Sequence, residues 1–226
     1  MRRLIILAFI IILTANVYGE EKKERSRTIS ARDAFAKMPM EYLDLIDPST
    51  RLDMLDYFDA DSIMQAKNNM YGISRLVSVS PSFLEVKITE VSSYQIKIVR
   101  GKDEDYVVAA YTISPDGGVP DSSLFFFDAE MRPMETRRFI RLPGIKDFFS
   151  FTKGSDITPA YIQDVIPFPS IVYSLSPDSD TINARITSGG YIDRNEYLRI
   201  QKYLNPDGIV FRWNGKQFLP DRKLTR

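Results

Sequence analysis

Two neighbouring stretches decide the fold: Phe83–Thr89 (FLEVKIT) and Tyr94–Val99 (YQIKIV). In the first, Leu84, Val86 and Ile88 alternate with Glu85, Lys87 and Thr89. In the second, Tyr94, Ile96 and Ile98 alternate with Gln95 and Lys97. A period of two places successive side chains on opposite faces, so each stretch reads as a half-buried strand. Glu90–Ser93 is too short for anything but a turn, which makes the pair antiparallel.

The pattern continues outward in both directions. Tyr106–Ile113 (YVVAAYTI) is nearly all apolar and suits a central strand covered on both faces. Ser114–Pro120 is a loop, and Leu124–Phe127 is the next strand. Further on, Ile171–Leu175 and Thr181–Thr187 predict a hairpin, as does Ile209–Phe218 around Asn214-Gly215, a dipeptide that tolerates positive φ. Short helices are expected at 159–165 and 146–151, and after Asp193, with Tyr197, Ile200 and Leu204 on the apolar face. Upstream of the first strand the period lengthens. Ser30 with Asp33 predicts a capped helix that Pro39 ends, Met40–Ile46 a second, Arg51–Asp59 a third behind Thr50, and Asp61–Met70 a fourth. In the third, Leu52, Leu55 and Phe58 form the expected apolar stripe. The fold class that follows is α+β: a mostly antiparallel sheet with helices packed on one face and a helical segment first. A helix-then-strands order in residues 29–140 and again in 155–222 leaves a distant duplication open within a single domain spanning 29–222.

The N-terminus reads as an address. Met1-Arg2-Arg3 precedes the apolar run Leu4–Leu13 (LIILAFIIIL), then a small-residue exit through Val17 and Gly19. This is the three-part pattern of a secretory signal peptide over residues 1–19. The run is too short to span about 30 Å of hydrocarbon, which needs about 20 residues. After cleavage no transmembrane segment is expected. Residues 20–28 begin EEKKERSR and read as a flexible charged leader, with nothing apolar to offset ordering entropy.

Composition excludes several chemistries. The 226 residues include no His and no Cys. Ser-His-Asp and Cys-His catalysis, thiolate zinc and His-ligated zinc are therefore outside this chain's repertoire. Lys+Arg and Asp+Glu are balanced at 30 each, and losing residues 1–19 removes Arg2 and Arg3. No basic stripe exists to follow a phosphate backbone, so no nucleic-acid partner is expected. No cofactor motif is present. Ser114-Pro115-Asp116-Gly117-Gly118 lacks the Gly-Lys-Ser/Thr signature and the following helix of a phosphate loop.

A set of short motifs occurs in order along the chain: Phe35-x-x-Met38-Pro39, Arg51-Leu52-Asp53-Met54-Leu55-Asp56, Thr89-Glu90-x-Ser92-Ser93, Ser174-Leu175-Ser176-Pro177, and Phe211-Arg212-Trp213-Asn214-Gly215-x-x-Phe218. This order resembles a family of exported domains of unknown function found in Bacteroidales, from about residue 29 to 219. The resemblance implies a location in the periplasm or on the surface of a Gram-negative bacterium. It assigns no catalytic or ligand-binding residue.

Three groups of residues remain as candidates. Asp53 and Asp56, at i and i+3 on a helix, are able to converge as glycoside hydrolysis requires, or else decorate a solvated face. Arg51 reads either as part of a buried polar knot with these aspartates or as half of a surface ion pair. Phe211 and Trp213 flank the last turn; they are core residues by default, and an interaction patch if exposed. No catalytic set and no metal site is selected by spacing. The leading expectation is a non-catalytic binding or interaction module whose partner is a protein or glycan of the cell envelope. The alternative is a carboxylate-dependent hydrolase acting on envelope glycans.

Overall fold

The computed structural model describes residues 27–60, 65–151 and 154–221. The expected signal peptide and nearly all of the leader lie outside the described residues. The described chain opens at Arg27, inside that leader, where its carbonyl accepts a hydrogen bond from the Asp105 N–H at 2.9 Å.

Two helices come first, α1 (Ala31–Lys37) and α2 (Pro48–Asp59). A seven-stranded sheet follows: β1 (Ala66–Lys67), β2 (Ile73–Val79), β3 (Phe83–Thr89), β4 (Ser92–Arg100), β5 (Asp105–Ile113), β6 (Asp121–Phe127) and β7 (Pro133–Met134). Strand order equals chain order, and all pairs are antiparallel. After two 3-10 turns and α3 (Pro159–Val165), β8 (Ile171–Leu175) and β9 (Thr181–Ile186) lead into α4 (Arg194–Ile200). β10 (Ile209–Trp213) and β11 (Phe218–Pro220) close the chain. The last four strands form a second antiparallel sheet, ordered β11-β10-β9-β8. The architecture is α+β and mostly sheet, as the period-two stretches require.

Three layers result. Leu84, Val86, Ile88, Tyr94, Ile96, Ile98, Val107 and Phe127 turn toward Ala34, Phe35, Met38, Leu43, Met54 and Leu55 of the N-terminal segment. From the other face, Phe83, Val99, Val108, Leu124 and Phe126 meet Tyr173, Leu175, Ile182, Phe211 and Trp213 of the small sheet. The large sheet thus separates two apolar clusters, one on each of its faces. Polar groups tie the sheets at one margin. Gln95 Oε1 accepts from the Leu175 N–H at 2.9 Å, Asp121 Oδ1 accepts from the Ile171 N–H at 2.9 Å, and the buried Lys97 Nζ donates to the Pro177 carbonyl at 3.1 Å.

The helical segment departs from expectation in four ways. First, Met40–Ile46 is a chain of turns. Its neighbourhood carbonyls are taken from outside. Arg51 donates to those of Ile46 (2.7 Å), Leu43 (2.6 Å) and Met38, and Asn69 to those of Asp44 and Leu45. A helix would have to claim the same oxygens for its own N–H groups. Second, α2 begins at Pro48, with Asp47 as its cap accepting from the N–H groups of Ser49 and Thr50. Asp-Pro is itself a start signal, because proline at the first position loses no hydrogen bond. Third, the buried face of α2 is Arg51, Met54 and Leu55, while Leu52 and Phe58 are exposed. Fourth, the expected helix over 61–70 is replaced, where described, by β1 and a turn into β2.

Elsewhere the departures are small. The segment expected to be helical at 146–151 is a 3-10 turn over Ile145–Phe148. The last hairpin has a four-residue loop, not a two-residue one. Trp213 pairs with Phe218, only Gly215 takes positive φ (93°), and Asn214 Oδ1 accepts from the N–H groups of Lys216 and Gln217. Gly208 (φ 75°) is the position where glycine is obligatory, since a Cβ there would lie 2.2 Å from the Ala184 carbonyl oxygen.

Candidate functional site

A cavity of about 570 Å³ opens between the β10–β11 hairpin and the segment 137–147. Local rules explain how the segment comes to line it. A 3-10 turn over Thr136–Arg138 leaves Arg137 and Arg138 exposed and sends Phe139 and Ile140 inward. The Phe218 N–H then donates to the Phe139 carbonyl at 2.6 Å, and Ile140 bridges Phe218 in parallel. Asp147 Oδ2 accepts from the Gly144 N–H at 2.8 Å, which closes the second 3-10 turn and fixes the far wall.

The floor is apolar, made by Ile140, Pro143, Ile209, Phe211 and Phe218, with Leu219 and Pro220 at the hairpin side. The polar lining is Arg137, Arg141, Asp147 and Gln217. The two arginines differ. Arg137 is held by Glu135 through two bonds of 2.8 and 3.0 Å. That fork holds the Glu135 carboxylate below the usual range and raises Arg137. Arg141 is exposed and makes no ion pair among the described residues. A cavity of this size with an apolar body and one uncommitted guanidinium is suited to an apolar group that carries an anionic end. The strand at its edge offers little else. The Phe218 N–H is already used, and Pro220 has none, so β11 has few free donors for an added strand.

A second hollow of about 300 Å³ lies beside α4, lined chiefly by Phe149, Ile166, Ile186, Ile192, Tyr197 and Ile200. Most of its walls are apolar side chains, with Thr187 and the Gly189-Gly190 backbone between them.

The residues singled out from sequence sit elsewhere or play other parts. Phe211 and Trp213 are buried, at 2% and 9% exposure. Trp213 packs on Phe218 with ring centroids 5.0 Å apart, and its indole N–H donates to the Arg100 carbonyl at 2.7 Å. Phe211 joins the floor of the main cavity; Trp213 stands behind it. Asp53 and Asp56 are exposed on α2 and line neither hollow. Arg51 is fully buried, with carbonyls rather than Asp53 or Asp56 as its acceptors. Burial lowers its pKa, against a raising effect of Asp47. Among the described residues, no group of three or more metal-type side chains converges. No helix among them is long and apolar enough to cross a membrane.

The cavity residues Arg137, Arg141 and Leu219 were not reached by sequence reasoning. The available signal was the run Thr136-Arg-Arg-Phe-Ile-Arg141, basic and apolar by turns within an irregular, proline-marked stretch.

Comparison with known proteins places this geometry in a wider group. A family model described as a protein of unknown function (DUF3256) matches residues 25–218. The fold is similar to that of a solved domain of an uncharacterized protein from Porphyromonas gingivalis W83. The two share 22% identity with a TM-score of 0.73, over 84% of this chain and 97% of that one. No curated protein matches the chain significantly.

Proposed function

For a chain that belongs to the DUF3256 family, whose function is unknown, we propose a non-catalytic binding module of the bacterial cell envelope, exported by residues 1–19 and cut after Gly19. Its ligand is a segment of an envelope protein presenting an apolar side chain beside a carboxylate, seated between β10–β11 and the segment 137–147. The observation that carries this reading is the uncommitted Arg141 guanidinium at the rim of an apolar cavity of about 570 Å³. The floor favours a protein segment over a glycan, because its Phe211 and Phe218 rings are buried and offer no exposed aromatic platform to a sugar ring. The hydrolase reading rests on Asp53 and Asp56, which stand exposed and away from both hollows.

Trp213 provides the assay. It is the only tryptophan in the chain and packs on Phe218 of the cavity floor. Its fluorescence should shift when the cavity fills. A panel of short peptides pairing Leu or Phe with Asp or Glu is titrated into the protein and into Arg141→Glu and Leu219→Ala. Saturable shifts that Arg141→Glu abolishes and Leu219→Ala weakens are expected. Binding indifferent to Arg141→Glu removes the reading. Export is tested separately: protein recovered from the envelope fraction should begin at Glu20.

A further inference from the structure

A smaller cavity of about 280 Å³ lies on the opposite, helix-side face of the large sheet and has a different chemistry. Its walls are Tyr42, Tyr94, Tyr111 and Phe125, with Ile88 and Leu43 beneath. Among the described residues, its ionisable rim groups besides the phenols are the exposed carboxylates of Glu41 and Asp44, and no lysine or arginine lines it. Tyr94 and Tyr111 stand directly opposite on β4 and β5, with ring centroids 5.3 Å apart. Tyr42 is set edge-on to Phe125 at 5.1 Å and to Phe127 at 4.9 Å.

Two features mark this hollow as more than a gap in packing. The Tyr94 side chain is 1% exposed, and its hydroxyl finds no hydrogen-bond partner among the described residues. An unsatisfied buried hydroxyl destabilises the fold, and phenylalanine would avoid that cost at nearly the same volume. The loop bearing both carboxylates is also pinned in place. Asn69 donates from its side chain to the Asp44 carbonyl at 2.7 Å and from its backbone to that of Leu45 at 2.8 Å. Asn69 sits in the β1–β2 turn, whose neighbour Asn68 is itself anchored by its side chain to the Ile88 carbonyl at 2.9 Å. Burial and the nearby Glu41 both keep the Tyr42 phenol protonated.

From this arrangement we infer that the cavity is a binding site for an alkylammonium group. Aromatic walls attract a diffuse cation through their ring faces, and the two carboxylates supply the opposite charge. The Tyr94 oxygen supplies an acceptor for an ammonium N–H. A hard metal ion is not matched, because the walls are phenyl rings and not converging oxygen ligands. This site is separate from the cleft at β10–β11 and stands or falls independently of it.

The test uses the processed chain beginning at Glu20, with labelled tyrosine rings followed by NMR. Butylammonium and ethanolammonium are titrated beside butan-1-ol, which is neutral and of similar size. Saturable shifts of Tyr42, Tyr94 and Tyr111 with either cation are expected, with butan-1-ol at least about tenfold weaker. Glu41→Gln combined with Asp44→Asn should weaken the cations about tenfold and leave butan-1-ol unchanged. Tyr94→Phe should bind the cations about threefold more weakly with an unchanged or higher thermal midpoint, because the lost hydroxyl has no partner among the described residues. Equal binding of butan-1-ol, absence of saturable shifts, or unaltered binding by Tyr94→Phe would each overturn the inference.

Discussion

The two faces of the seven-stranded sheet are covered by opposite means. On one, the four-stranded sheet satisfies its own backbone groups, and its inward side chains are free to interlock as an aromatic core. Phe126 and Phe139 stack there at 4.8 Å, and Trp213 and Phe218 pack beside them. On the other, part of the cover is irregular chain, and its carbonyls need donors from elsewhere. One buried arginine, Arg51, supplies three of them and Asn69 two more. The comparison teaches that a cover without regular structure concentrates its stability in few side chains, whereas a sheet cover spreads it over many.

Breaking each cover separately sharpens the contrast. Arg51→Met should have the largest effect, about 5 kcal/mol in urea unfolding, because it strands the carbonyls of Met38, Leu43 and Ile46 in a dry interior. Phe126→Ala should cost about 4 kcal/mol, through lost burial and a partly collapsed cavity. If Arg51→Met costs less than 1 kcal/mol, the loop does not depend on its arginine and the contrast is lost.

Buried phenols on both faces should weaken the fold at alkaline pH, Tyr94 on the helix side and Tyr173 on the sheet-covered side. Burial pushes the Tyr173 phenol up to about 12, with Asp121 adding to the effect. In the unfolded chain it titrates near 10. A raised phenol keeps its proton longer in the folded state, so its contribution is intact below about pH 10 and is lost as pH rises through about 12. Tyr173→Phe should move the alkaline unfolding midpoint upward, and an unchanged midpoint would show that another group governs it. A smaller loss, about 1 kcal/mol, is expected for Ser30→Ala, whose hydroxyl caps α1 by accepting from the Asp33 N–H. Smallest of all, Asp53→Asn with Asp56→Asn should leave the unfolding midpoint where it is, as both side chains are exposed.

Legibility in the sequence followed the range of the interactions. The bounds of β3, β8 and α3 coincide with the sequence reading, because alternation between Leu84 and Ile88, or proline after a capping threonine at Thr158-Pro159, acts within a few residues. The α2 stripe was misread for a related reason. Leu52 reads as core on hydropathy, and Arg51 stays open between a buried polar knot with Asp53 and Asp56 and a surface ion pair, because nothing local shows that it faces a cluster of carbonyls. The β1–β2 hairpin went unread because its strands are held by a side chain, Asn68, bonding to Ile88 twenty positions away. Neither cavity was legible, since each is walled by segments remote in sequence: 137–147 with 209–220, and 41–45 with Tyr94, Tyr111 and Phe125.

By itself, the sequence determined most of the antiparallel strands, the caps of α1 and α4, the absence of imidazole and thiol chemistry, and the α+β class. These follow from side-chain period and composition, which are properties of neighbouring residues. Tertiary structure alone decided which face of α2 is buried, which carbonyls Arg51 serves, and where the chain leaves space unfilled. Those outcomes depend on which distant surfaces meet, because a buried donor or a cavity is defined by what surrounds it in space.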